Sequence, residues 1–184
     1  MFYTIQNDHL KVTVNSLGAE LYSIQSADGT EYLWQGNPDV WNGQAPNIFP
    51  YVARLTEQKY TYDGNEYTMK IHGFINAVEL IPEKQTKESI TLRYDSNEET
   101  LAQYPFSFTY RITYALKGNV MHVTNEVENI GSTRMHFGIG GHPGFNVPLE
   151  DGLSFEDYYL EFSHSAHPYR VGFTADCFLN GSDA

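Results

Sequence analysis

Cysteine is almost missing from the chain. Cys177 stands alone among 184 residues, so no intrachain disulfide and no cysteine-rich metal site can form, and cohesion must come from packing and hydrogen bonds. Cys177 itself reads as a small filler residue near the chain end. Basic residues are scarce as well. Only 11 Lys and Arg stand against 23 Asp and Glu, and the formal net charge of −12 repels nucleic acid and anionic membrane surfaces while favouring a neutral or cationic partner. Long apolar runs are absent too: nothing approaches the ~18 uninterrupted apolar residues of a membrane span. Met1–Leu10 also lacks a basic segment followed by an apolar one, so the expected location is the cytoplasm.

Several signatures of chemistry are also missing. No Gly-x-Ser-x-Gly elbow supports acyl transfer by serine. Gly138-x-Gly140 has Pro143 where a dinucleotide fingerprint needs its third glycine, and no Gly-Lys-Ser/Thr follows. His164 and His167 are the closest histidine pair, but His-Glu-x-x-His is missing and a pair three apart in a Pro-containing loop reads as solvated. No metal site is therefore expected. Asn180-Gly181-Ser182 fits a glycosylation sequon that carries no meaning without a secretion signal. Repeats, low-complexity segments and linkers are likewise lacking.

What remains is a chain rich in aromatics, 15% of the total, within a hydrophobic content of 41%. At this length it is expected to fold as one domain over residues 1–184. Apolar and polar residues alternate repeatedly, the period of half-buried strands. Thr4–Ile5, Lys11–Asn15, Ala19–Gln25 and Glu31–Trp34 read as strands, with Asp28-Gly29 as a hairpin turn. Lys59–Met69 is a second hairpin around Asp63-Gly64. Ser89–Tyr94 is another strand, and Asn97–Gln103 is a turn or two of helix before Pro105.

Phe106–Leu116 is the clearest strand, with Phe106, Phe108, Tyr110, Ile112, Tyr114 and Leu116 on one face. Val120–Asn129 returns beside it, with Met121, Val123 and Val127 facing in. Arg134–Ile139 and Phe155–Phe162 read as further strands. Val171–Ala184 leaves Phe173, Phe178 and Leu179 still to be buried. Strands at this spacing with almost no helix predict an all-β fold, a large antiparallel β-sandwich.

The chemistry concentrates in Gly138–Pro148, where four glycines and two prolines force an irregular backbone around His142, Phe145 and Asn146. A histidine, an apolar wall and an orienting amide are what a small-molecule site uses, which makes His142 the candidate catalytic residue. Upstream, Trp41 lies in the polar loop Gln35–Gln44, either as a lid over the core or as a ligand-facing ring. Arg54 lies within the apolar run Ala45–Leu55, either with its stem on the core or with its head in a pocket. His72, in Ile71-His72-Gly73-Phe74, taken singly reads as a satisfied structural histidine.

Together Asn47–Leu55 with Arg54, Ile71-His72-Gly73-Phe74 and Gly141-His142-Pro143-Gly144-Phe145-Asn146 resemble the aldose 1-epimerase (galactose mutarotase) superfamily. The likeness is to the subgroup associated with lactose and galactose operons, and Glu31–Trp34 and Trp41-Asn42-Gly43 follow the same order. The resemblance implies a large β-sandwich with a sugar cleft, interconverting α and β anomers of a free aldose without a cofactor. It implies His142 as the general acid at the ring oxygen, His72 as a hydrogen-bonding partner of the sugar and Arg54 as a ligand for a ring hydroxyl. Phe74, Phe145, Asn146 and Trp41 are expected to bind substrate together with Arg54, the three aromatics as stacking platforms if the chain is a sugar-binding module.

Family members place their base glutamate in a late strand. Nothing after Asn146 matches it, and Glu150, Glu156 and Glu161 come too soon. The chain therefore resembles the N-terminal portion of the fold. A homodimer or a partner chain is expected to complete the sandwich. Two other readings stay open: a non-catalytic carbohydrate-binding module, and a sugar-phosphate epimerase, against which the low basic count argues.

Overall fold

Alternation organises the first sheet. In the structure, a computed structural model that describes residues 1–164, 169–176 and 178–183, β1 (Phe2–Gln6), β2 (Leu10–Asn15) and β3 (Leu21–Ser26) form an antiparallel meander. Ile5, Val12 and Val14 share its buried face, while Lys11 stays in solvent. Between β2 and β3 the chain turns through Gly18 and Ala19, both at positive φ, so the third strand starts at Leu21 rather than at Ala19.

The apolar run that follows contains only the two-residue strand β4 (Asn47–Ile48). β5 (Lys59–Tyr62) and β6 (Asn65–Thr68) form the hairpin that Asp63-Gly64 announces, with Tyr60 opposite Tyr67. A second sheet then assembles from β7 (Ile81–Gln85), β8 (Ser89–Asp95), β9 (Phe108–Lys117) and β10 (Val120–Asn129), all antiparallel, in the order β10-β9-β8-β7. The short helix α1 (Glu98–Leu101) links β8 to β9, capped by the Asn97 side chain on the Thr100 amide. Two small pairings complete the pattern: β11 (Gly140–Gly141) with β4, and β12 (Val171–Phe173) with β13 (Leu179–Asp183).

The two larger sheets bury their apolar faces against each other. β9 supplies Phe108, Tyr110, Ile112 and Tyr114, which meet Ile90 and Leu92 of the neighbouring strand and Ile5, Val12 and Val14 of the first sheet. Each such side chain contributes roughly 1.5–3 kcal/mol by leaving water. Phe49, just after β4, lies at the centre of this core, its ring 5.0 Å from Phe108, 5.4 Å from Tyr110 and 6.2 Å from Phe74. That anchorage matters because Phe49 adjoins the segments that carry the candidate site.

Several expectations are corrected. β7 carried no strand signature because all its residues are exposed and Pro82 sits at a register shift, as suits a sheet edge. Met121 and Val127 pack on the core, but Val123 on the same face of β10 is 45% exposed. Arg134–Ile139 is not a strand, since only Gly140–Gly141 joins a ladder. Phe155–Phe162 is not one either: Ser154 and Asp157 cap each other across a turn of 3-10 helix over Phe155–Asp157, and Tyr159 and Leu160 stand in solvent. Phe173, Phe178 and Leu179 remain exposed despite the β12–β13 pairing. Cys177 and His167 lie outside the described residues. No described helix is long and apolar enough to cross a membrane.

Candidate active site

The glycine-rich stretch is held open between two other segments. On one side Gly140 and Gly141 pair with Ile48 and Asn47, His142 N–H donates to the Pro46 carbonyl at 3.0 Å, and Gly144 N–H donates to the Gln44 carbonyl at 2.8 Å. On the other, Trp34 N–H donates to the Gly144 carbonyl and Asn146 N–H to the Tyr32 carbonyl. Gly144 is confined: a Cβ there would stand 2.9 Å from Trp34 Cβ and 3.0 Å from the Trp41 ring. The stretch thus runs as a narrow ribbon under two indoles, and His142 projects from its exposed side.

His72 arrives from elsewhere through two successive left-handed residues, His72 at φ 66° and Gly73 at φ 78°. Glycine is required at the second, because a Cβ would lie 2.2 Å from the Phe49 carbonyl oxygen. Phe74 N–H and Ile75 N–H then donate to that same carbonyl. The chain is thereby clamped to the core beside His72, whose Nδ1 accepts the Ala53 N–H at 3.2 Å. With Nδ1 occupied as an acceptor, the neutral ring carries its proton on Nε2. Desolvation, and then the neighbouring His142, lower the pKa of His72 below its ordinary value, so the ring is neutral at pH 7.

The three rings form one cluster. His142 lies 5.7 Å from His72 and 5.1 Å from Trp41, centroid to centroid, with the rings tilted by 50° and 58°. The imidazole nitrogens of His142 make no hydrogen bond among the described residues, nor does either histidine ion-pair with a described carboxylate. A hydrogen-bond donor fixed by the backbone, an unengaged imidazole and an indole wall suit a polar ring that offers oxygens at its edge and C–H groups on its face.

The other expected site residues are placed elsewhere. Phe74 is a core residue, 5% exposed with its ring against Phe49 and Phe108, so it offers no stacking surface. Asn146 acts as a staple, its Nδ2 donating to the carbonyls of Glu31 and Leu33 at 2.9 Å each. Phe145 pairs through its backbone with Leu33 and lines one depression with Trp34 and another with Tyr32, neither of them lined by His72 or His142. Arg54 is exposed and lines a shallow depression with Leu55, Glu57, Gln58, Lys70 and Ile71. It adjoins Ala53 in the chain, but neither histidine lines that depression. Ala53 was not singled out in the sequence, and no side-chain signal marks it, because its contribution is a backbone N–H. No group of three or more His, Cys, Asp or Glu able to hold a metal ion occurs among the described residues.

A family model described as aldose 1-epimerase matches residues 1–171 of the chain. The chain belongs to the aldose 1-epimerase family. Among curated proteins of this kind, the plasmid and chromosomal LacX proteins of Lactococcus lactis subsp. lactis are 38% identical over 169 residues, 89% of this chain and 56% of theirs. A galactose mutarotase related enzyme from Lactobacillus acidophilus is 41% identical with a TM-score of 0.93, covering 98% of this chain and 60% of that one. A galactose mutarotase-like protein from Lactobacillus casei is 31% identical with a TM-score of 0.89, over 100% and 63% of the two chains. The all-β sandwich expected from the strand pattern is the fold of these relatives. This epimerase-family chain spans somewhat more than half of the length of the curated relatives that it matches.

Proposed function

We propose that the chain interconverts the α and β anomers of a free aldose of the glucose or galactose type. Ring opening moves protons and breaks one C–O bond, with no electron transfer. His142 donates a proton to the ring oxygen as the C1–O bond breaks, a base removes the proton of the anomeric hydroxyl, and the aldehyde rotates and recloses. His72 is the neutral donor that holds the sugar beside this bond through Nε2–H. An imidazole suits the first role because its unperturbed pKa of ~6.5 lets it give and regain a proton near neutrality.

The observation that carries the reading is the cluster itself: His142 unengaged, 5.7 Å from a His72 whose tautomer the Ala53 amide dictates, under the Trp41 ring. The family membership agrees with it. Among the described residues no carboxylate ion-pairs with either histidine, and the reading assigns the base to none of them. A missing general base lowers the rate by about 10²–10⁴-fold. The same reading has the open face of β10 covered by a second copy or a partner chain.

Polarimetry or NMR on freshly dissolved galactose tests the proposal, with His142→Asn as control. Wild type is expected to speed anomerisation over buffer and His142→Asn to lose that gain while still binding sugar. A wild type that binds sugar but matches buffer would leave a carbohydrate-binding module instead.

A further inference from the structure

The segment 44–47 holds the His142 ribbon, yet it is too short to fix its own register. Gln44 and Pro46 spend their carbonyls on Gly144 and His142 along one edge, and Asn47 pairs there with Gly141. Gly-rich strands specify register weakly, so a slip would carry His142 to the other face of the ribbon. The opposite edge shows what prevents it. No neighbouring strand supplies acceptors for the amides of Gln44 and Ala45; the Glu20 carboxylate accepts both, at 3.2 and 2.9 Å. Two residues on, the buried Asn47 donates through Nδ2 to the carbonyls of Gly18 and Ala19 at 2.9 and 3.0 Å. Tyr114 braces the same turn from the core, its hydroxyl donating to the Ala19 carbonyl at 2.8 Å.

We propose that Glu20 and Asn47 are positioning residues for His142: from the turn before β3 they take the place of a missing strand and fix the height at which segment 44–47 presents its carbonyls to the catalytic ribbon. Glu20 touches neither histidine and acts through Gln44 and Ala45. Because Gln44 also ends the loop that carries Trp41, the same contact sets the Trp41–His142 ring pairing. The proposal deepens the epimerase reading and rests on it for the word catalytic. The geometry that it describes is testable without turnover.

The test compares wild type, Glu20→Ala and Glu20→Gln by NMR, following the Trp41-to-His142 ring contacts and the His142 ring-current shift, and measures galactose anomerisation alongside. Glutamine keeps an acceptor oxygen for both amides; alanine keeps none. Glu20→Ala is expected to lose the ring contact and shift while the β9 amides stay in place, with kcat reduced by about 10²-fold, the effect of an ångström-scale misplacement. Glu20→Gln is expected to restore both. Should Glu20→Ala fail to fold, Glu20→Asp serves, because its arm is one methylene shorter and must still displace the His142 resonance. A folded Glu20→Ala or Glu20→Asp protein with the His142 signals unmoved overturns the proposal, whatever its rate. Signals that move as expected in a protein without anomerase activity uphold the positioning and sink the epimerase reading instead.

Discussion

Ala53 and His72 are both left-handed, at φ 76° and 66°, and they face each other across two hydrogen bonds: His72 N–H to the Ala53 carbonyl at 3.0 Å, and Ala53 N–H to His72 Nδ1 at 3.2 Å. Backbone strain of about 1–3 kcal/mol at each residue is held in place by this reciprocal pair and by the Gly73–Phe49 clamp beside it. The result is a histidine whose ring has one permitted neutral tautomer.

That pairing predicts how stability depends on pH. Protonating Nδ1 turns an acceptor into a donor and breaks the bond to Ala53. The folded pKa of His72 is lowered, by desolvation first and by His142 second, so the unfolded chain binds the extra proton more readily. The stabilisation is complete above the unfolded value of ~6.5 and is lost as pH falls through the folded value. Thermal midpoints should decline in that window for wild type and decline less for His72→Gln. An NMR titration of His72 with a midpoint at or above 6.5 would contradict this account.

Gly73→Ala should be among the most damaging changes in the chain. The new Cβ meets the Phe49 carbonyl oxygen at 2.2 Å and also inherits a φ of 78°. Gly64→Ala separates the two effects, since it shares a positive φ of 74° but has nothing within 4 Å. Left-handed strain alone costs about 1–2 kcal/mol; strain with a backbone collision should cost more than ~4 kcal/mol. Urea unfolding of the two variants measures the difference, and equal losses would mean that the clamp yields.

Trp41, whose ring meets that of His142, is the wall of the proposed site that can be removed with least harm to the core. Trp41→Ala should weaken sugar binding by about 1 kcal/mol, roughly fivefold, while leaving the thermal midpoint of the folded protein nearly unchanged. Titration calorimetry with galactose reads the first, and a thermal melt the second. Unaltered affinity would remove Trp41 from the site.

The sandwich was legible in the sequence wherever burial was one-sided. Tyr110 to Leu116 on β9 and Val12 and Val14 on β2 alternate because one face is buried in the core and the other is partly exposed. Where neither face is buried the signal vanishes, as in β7, or misleads, as in Phe155–Phe162. Of the expected site residues the structure brings together His142, His72 and Trp41, which were named from their residue types and motif order. Phe74 was misplaced because an aromatic after a glycine looks the same whether it faces a ligand or Phe49. Ala53 and Glu20 were invisible for another reason. Their parts are played by a main-chain amide and by a carboxylate distant in sequence from the amides that it holds.

Val123 on the core-facing side of β10 is 45% exposed, and Phe137, Phe155 and Leu160 are 46%, 70% and 85% exposed. Isolated exposed apolar residues are ordinary, but β10 is also the end strand of its sheet among the described residues, and an apolar side chain beside an unpaired strand edge invites pairing. The acidic side chains of β10 do not blunt it, since Glu126 and Glu128 are drawn onto Arg111 on the outer face. Light scattering of the 184-residue chain should therefore show self-association that rises with concentration. Val123→Lys, which places a charge on the inner face of the edge strand, should reduce that association without lowering the thermal midpoint by more than about 1 kcal/mol equivalent. A monodisperse monomer at all concentrations would show that the exposed face needs no partner.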